Sequence, residues 1–423
     1  MSTTTHRTAP APATTGPTAP AAPAATSVRV GHGAGFWLVA AAFGSAMAFS
    51  TVPAPLYPLY QAADGFSTFT VTLVFAAYAV GVALSLVLAG HVSDWLGRKP
   101  VLVPALLLEL VAAALFLSRS DVGTLLVARF VSGLGVGMLT ATATAHLQDL
   151  HRRHRPGASD RRSQVVATVA NIGGLGAGAL AGGALAQAFG APLRLPYAVF
   201  AVLLVLGVVG VLLTPETVAR PAARPAYRPQ RPRRAGADPV RHTVALTAAF
   251  AAFAVFGVFT SVAPGFVAGT LHHTSRVLAG LVVFVVFAAA AAVQATTTRV
   301  PADRKLLPGA VAQGAGLVVL VGGMHAASLG VFLAGGVLTG AGAGLLFASA
   351  VGTIGALAAP DRRGEALAGL FLVAYLGLSV PALALGVAVR TVPAVTAMTV
   401  LAAVLVVLLV ALGLLGRRAR AAR

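Results

Sequence analysis

Two ionisable side chains sit in the middle of long apolar runs. Glu109 lies in Val101-Leu-Val-Pro-Ala-Leu-Leu-Leu-Glu109-Leu, and Arg129 in Leu125-Leu-Val-Ala-Arg129-Phe-Val-Ser-Gly133-Leu-Gly135-Val-Gly137. An isolated ionised carboxylate in hydrocarbon is strongly unfavourable, so Glu109 must be paired, protonated or open to a wet cavity. An arginine inside an apolar span is a functional candidate by default, unless its stem carries the charge out to water. The short connection from Ser118 to Asp121 places the two residues at similar depths, which makes Arg129 the expected partner of Glu109. Two roles are open to Glu109, a proton carrier and a neutral structural group.

A third cluster, Gly90-His-Val-Ser-Asp94-Trp-Leu-Gly97-Arg98-Lys99, falls between two apolar runs. Gly90 and Gly97 allow close backbone approach and a positive φ where the chain reverses. Asp94 sets a carboxylate at the membrane boundary, with Arg98 and Lys99 as partners at i+4 and i+5. Other polar or aromatic residues inside spans are candidates for lining a substrate cavity: Met47, Ser50, Tyr78, Asn171, Phe256, Phe259 and Tyr375. The ten histidines show no spacing suited to a metal, and the absence of cysteine excludes disulfides and thiolate chemistry. No phosphate-binding Gly-rich loop or nucleophile-and-base pair occurs, so neither ATP hydrolysis nor enzyme activity is expected, and no cofactor is.

The elements that must hold these groups follow from composition. The chain is 57% hydrophobic and only 10% charged, against about 25% charged in ordinary soluble domains. About 20 mainly apolar residues cross a bilayer as a helix. Twelve runs meet that length: 34–57, 68–92, 100–118, 122–146, 164–189, 195–214, 243–268, 276–298, 306–324, 327–356, 365–388 and 391–415. The expected fold is therefore an all-helical polytopic membrane protein with two six-helix halves, 34–214 and 243–415. Residues 215–242, rich in Arg and Pro, read as a linker. Residues 1–33 and 416–423 read as tails, the first disordered.

The formal charge of +19 is distributed by topology. Of the 30 Lys and Arg residues, all but Arg119, Arg194, Arg276, Arg390 and the mid-span Arg129 fall on the side that holds both termini. That asymmetry predicts cytoplasmic termini and speaks against nucleic acid, which would need one basic face. Lysine occurs only at 99 and 305, a composition that points to a GC-rich bacterial genome and hence a bacterial cell membrane.

The Gly90 cluster resembles the loop between helices 2 and 3 of the major facilitator superfamily, roughly Gly-x-x-x-Asp-(Arg/Lys)-x-Gly-Arg-(Arg/Lys), with Trp95 where a basic residue is usual. The resemblance implies that Asp94 faces the start of helix 11, at Gly364 and Glu365, as a gate that opens and closes with the transport cycle. The Arg129 segment is similar to the family's helix 4 motif, whose arginine is associated with proton coupling in antiporters. Gly174, Gly178, Gly182 and Gly183 resemble the helix 5 signature of proton-coupled antiporters, with Ala179 in place of its proline; close helix packing alone also accounts for such glycines.

The resulting expectation is a monomeric secondary transporter of the drug:proton antiporter branch, with the proton gradient as energy source and lipid, protons and a small molecule as its partners. With no acid in the first span, polycationic substrates are not expected, and the apolar lining points to hydrophobic or neutral cargo. An importing facilitator or proton symporter on the same fold is the alternative, and a membrane-embedded enzyme or scaffold is a further one.

Overall fold

A computed structural model describes residues 30–218, 227–230, 236, 238–359 and 362–421. Twelve helices are long and apolar enough to cross a membrane. They are α1 (His32–Asp64), α2 (Thr68–Ala89), α3 (Lys99–Ser118), α4 (Val122–His154), α5 (Arg161–Ala188), α6 (Leu195–Leu213), α7 (Pro239–Ser261), α8 (Arg276–Thr296), α9 (Ala302–His325), α10 (Leu329–Leu357), α11 (Arg363–Ala388) and α12 (Ala394–Arg418). No strand occurs among the described residues. A span surrounded by lipid must satisfy its backbone within itself, and helix does so. Side chains at the starts of four spans complete this locally: Ser67, Asp121, Asp238 and Ser275 each accept a hydrogen bond from a first-turn N–H.

All twelve apolar runs become spans, with shifts at their ends. α4 continues to His154, beyond the apolar stretch, as a polar extension bearing His151, Arg152 and Arg153. α1 is not one continuous rod. Regular helix ends at Phe49, a turn follows, and the chain resumes as a 3₁₀ turn at Ala54–Leu56 and a helix at Tyr57–Asp64. α5 carries a π-helical turn at Val169–Gly173, just before the glycine run, so its irregularity arises without the proline that Ala179 replaces.

In the first half α4 packs on α1, α2 and α3, and α6 on α1 and α3; in the second, α10 packs on α7, α8 and α9, and α7 on α11. The halves meet along α5 with α8 and along α2 with α11. Glycine makes the close contacts of α5 possible. On α5, a Cβ at Gly174, Gly178 or Gly182 would press on Gly44, Ala48 or Val52 of α1, whereas one at Gly183 would meet the Arg276 carbonyl of α8. Lipid tails are as apolar as leucine, so such close van der Waals packing holds the helices together.

The bundle has a basic end, where the Gly90–Arg98 connection and the end of α6 lie, and a far end. At the far end the halves are tied directly. Arg276 Nη1 donates to the Ala186 carbonyl at 2.5 Å, and Gln187 Oε1 accepts from Ser275 Oγ and the Val277 N–H. On the other seam Arg390 lies over the Phe69 ring, 5.6 Å from its centroid.

Candidate functional site

The Gly90 cluster folds into a compact hub at the basic end. Gly90 keeps helical backbone at φ −58°, so its value is space alone, while Gly97 has φ +112°, which a residue with a Cβ rarely adopts. Arg98 Nη1 donates to Asp94 Oδ1 at 2.7 Å and to Ser93 Oγ at 2.9 Å, and its Nε donates to Asp149 Oδ2 on α4 at 3.2 Å. Lys99 Nζ donates to the Leu212 and Thr214 carbonyls at the end of α6. Cations there meet the negative pole of that helix.

Glu216, which the sequence pattern did not single out, holds the hub together. Its carboxylate accepts from the backbone N–H groups of Arg98 and Lys99, at 3.0 and 2.9 Å, and thus caps the start of α3. It also accepts from the N–H groups of Thr217 and Val218. Thr217 completes the link through Asp149 and His146 on α4. Partial burial works against ionisation of Glu216, yet the backbone donors Arg98, Lys99, Val218 and Thr217 outweigh it and hold the carboxyl below its ordinary value. A group of that kind contributes stability above its unfolded-state value and loses it as pH falls through the folded-state value. Glu216→Gln is therefore expected to remove about 1–3 kcal/mol, seen as a lower melting temperature at neutral pH, with the variant and wild type converging in acid. Parallel melting curves at every pH would contradict this.

The expected contact between Asp94 and the start of α11 is not made in this structure. Asp94 is 68% exposed, pairs with Arg98, and makes no hydrogen bond to the described residues of α11. Gln230 of the linker occupies that place instead: a Cβ on Gly90 would lie 3.3 Å from its Oε1, and one on Gly364 would lie 3.2 Å from its Nε2. The Gln230 N–H donates to the Val87 carbonyl, and Tyr227 Oη to that of Leu88. Glu365, the other expected partner, stands in the first turn of α11 beside Gly364.

A central cavity of about 70 Å³ lies between the halves, lined by residues of both. Of the expected cavity groups, Met47, Ser50, Tyr78, Asn171, Phe256 and Tyr375 line it, as does Arg129. Phe259 does not; it faces a separate apolar pocket with Phe266, Phe332 and Met324. Phe75, Phe253, Phe287, Phe347 and Phe371 also line the cavity and were not anticipated. Their only sequence signal is aromatic type within a span, which buried packing residues share.

Arg129 is 1% exposed, so its stem does not carry the charge to water. Its Nη1 donates to the Ser50 carbonyl at 2.5 Å, where regular helix in α1 has just ended. Its guanidinium carbon lies 4.4 Å from the Tyr78 ring centroid and 5.7 Å from that of Phe75. Stacking of this kind suits a desolvated cation. The glycines after Arg129 divide their work: a Cβ on Gly133 or Gly137 would strike α2, and one on Gly135 would strike Ala105 and the Glu109 carboxyl on α3.

Glu109 does not line the cavity and does not pair directly with Arg129. It is fully buried in the seam between α3 and α4, where its Oε2 accepts from Ser132 Oγ at 3.0 Å and its Oε1 has no partner. Among the described residues no group of His, Asp and Glu is arranged to hold a metal ion.

Comparison with known proteins gives one consistent result. A family model described as Major Facilitator Superfamily matches residues 38–321. The uncharacterized MFS-type transporter Rv1250 of Mycobacterium tuberculosis is 31% identical over 177 residues, 42% of this chain and 29% of that protein. The multidrug resistance protein MdtL of Escherichia coli is 40% identical over 78 residues, 18% of this chain and 20% of that one. The alignments therefore span less than a third of either relative. Among solved structures, the human organic anion transporter MFSD10 (TETRAN) superposes with a TM-score of 0.66 at 16% identity, covering 91% of this chain and all of that one.

Proposed function

Because the chain belongs to the Major Facilitator Superfamily, we propose that it is a secondary transporter exporting small amphipathic organic compounds in exchange for protons. It is a multi-pass membrane protein of twelve apolar helices, in a family whose members carry small molecules across membranes. We place it as a monomer in a bacterial cell membrane, with both termini in the cytoplasm on the strength of its charge asymmetry.

One observation carries the reading: an aromatic-rich cavity whose walls come from both halves, so that rocking one half on the other changes the side to which it opens. Partial likeness to a protein named for multidrug resistance and the α5 glycine pattern support export. The hub around Glu216, together with Gln230 between Gly90 and Gly364, is the natural gate at the basic end.

Glu109 is the proton carrier in this reading, being the carboxylate midway along a span. Protonated, it sits neutral beside Ser132. Ionised, it competes with the Ser50 carbonyl for Arg129, and so changes the tie between α4 and the break in α1. Inverted membrane vesicles test the exchange. Uptake of a transported amphipathic compound should acidify the outside, and an unchanged external pH would sink the proposal.

A second reading, import by proton symport, is favoured by the positive charge lining the cavity. An anion at Arg129 would bind better while Glu109 is neutral, so proton and ligand would travel together. In the same vesicles that coupling turns the outside alkaline.

A further inference from the structure

The two walls of the central cavity are chemically unlike. The first half contributes Arg129, the only formal charge in the lining, with the polar groups Ser50, Thr51, Thr140 and Asn171. Phe75 and Tyr78 lie beneath the guanidinium, alongside apolar Met47, Ile172 and Leu175. On the second half six of the eight lining residues are aromatic, with Thr260 and Leu378 beside them. Phe253 is its centre, with ring centroids 4.9 Å from Phe347, 5.5 Å from Tyr375 and 5.8 Å from Phe256, and Phe256 stacks on Phe287 at 4.7 Å.

The charge of Arg129 is not neutralised. Its Nη1 bonds a neutral carbonyl, its Nε is buried with no acceptor, and it forms no ion pair with any described carboxylate. A guanidinium presents five N–H groups in a planar fork that matches a carboxylate. A buried donor without an acceptor costs about 1–3 kcal/mol, which a bound anion would recover.

We propose that the cavity selects aromatic monoanions, with the negative head on the Arg129 fork and the ring against the Phe253 wall. The proposal rests on taking this cavity as the substrate site and adds the class of substrate. A cationic ligand would face a like charge where water cannot screen it. A neutral ligand would leave the guanidinium without its counter-charge. The ligand must widen the cavity to enter, since drug-sized molecules occupy pockets of roughly 300–1,000 Å³. By bridging a charged wall on one half and an aromatic wall on the other, it would draw the halves together. Outward movement of a monoanion from a negative-inside cell contributes about 2.3 kcal/mol per 100 mV, and each proton entering in exchange adds the same amount.

The test compares three ligands that share one ring: naphthoate, naphthamide and naphthylmethylammonium, added to the full chain purified in detergent at neutral pH. Naphthoate is expected to raise the melting temperature with an affinity at least about tenfold above naphthamide, and the ammonium to give no shift. In Arg129→Gln, naphthoate should fall to the level of naphthamide. Should that variant fail to fold, the ranking in the wild type decides alone. No shift with naphthoate, or an equal or larger one with either analogue, overturns the proposal. No proton gradient is present in this measurement, so its failure is distinct from a failure of proton exchange in vesicles.

Discussion

Arg129→Ala is expected to reduce transport by at least about 100-fold while leaving the twelve spans in the membrane. Two interactions disappear with the side chain. The charge-assisted hydrogen bond to the Ser50 carbonyl is worth about 1.5–3 kcal/mol, and stacking on Tyr78 and Phe75 about 2 kcal/mol when desolvated. Even a partly additive loss near 3 kcal/mol corresponds to about two powers of ten in any binding or transport step that depends on these contacts. Arg129→Lys keeps the charge but loses the planar fork and the flat face that stacks, so it should recover only a small part of the flux. Initial rates in proteoliposomes measure both. Flux in Arg129→Ala within a few-fold of wild type would show that the guanidinium is a packing group.

Glu109→Gln is expected to separate substrate movement from proton movement. Glutamine keeps the shape and can still accept from Ser132, so the seam between α3 and α4 survives, but it carries no proton at any pH. At one-for-one exchange, each unit of pH difference, worth about 1.4 kcal/mol, sustains roughly tenfold accumulation. In the variant that ratio should fall to about one, while equilibration of labelled substrate continues. Accumulation driven by a pH gradient in Glu109→Gln would remove the carboxyl from the coupling mechanism.

All twelve spans were legible in the sequence because hydrocarbon imposes a length and a composition that every crossing must meet. Arg129 and the Gly90 cluster were legible for the converse reason, as charge and glycine where apolar bulk is the rule. Orientation about each helix axis was not. In a soluble helix the polar face reveals the buried one, but lipid and protein interior are equally apolar, so the periodic signal vanishes. On α7 the pattern offered Phe256 and Phe259 alike; the cavity is lined by Phe253, Phe256 and Thr260, a face that Phe259 misses. Glu216 was hidden differently. It stands at the start of a stretch that reads as linker, and its importance comes from the start of α3, more than a hundred residues earlier, which it caps. The gate contact at Gly364 was assigned to a charge, and a neutral amide from the linker fills it.

The glycine-lined seams determine how this sequence can drift. Cavity positions face open space and not a packed neighbour, so exchanging one large side chain for another there alters preference before it harms folding. At Gly178, Gly183, Gly257, Gly280 and Gly340 even a methyl group would overlap the backbone of the facing helix. In a comprehensive substitution library the sharpest depletion should therefore fall on these helix-contact glycines. The cavity lining apart from Arg129 would appear as the permissive region, where new specificities arise by single changes on a scaffold that tolerates few.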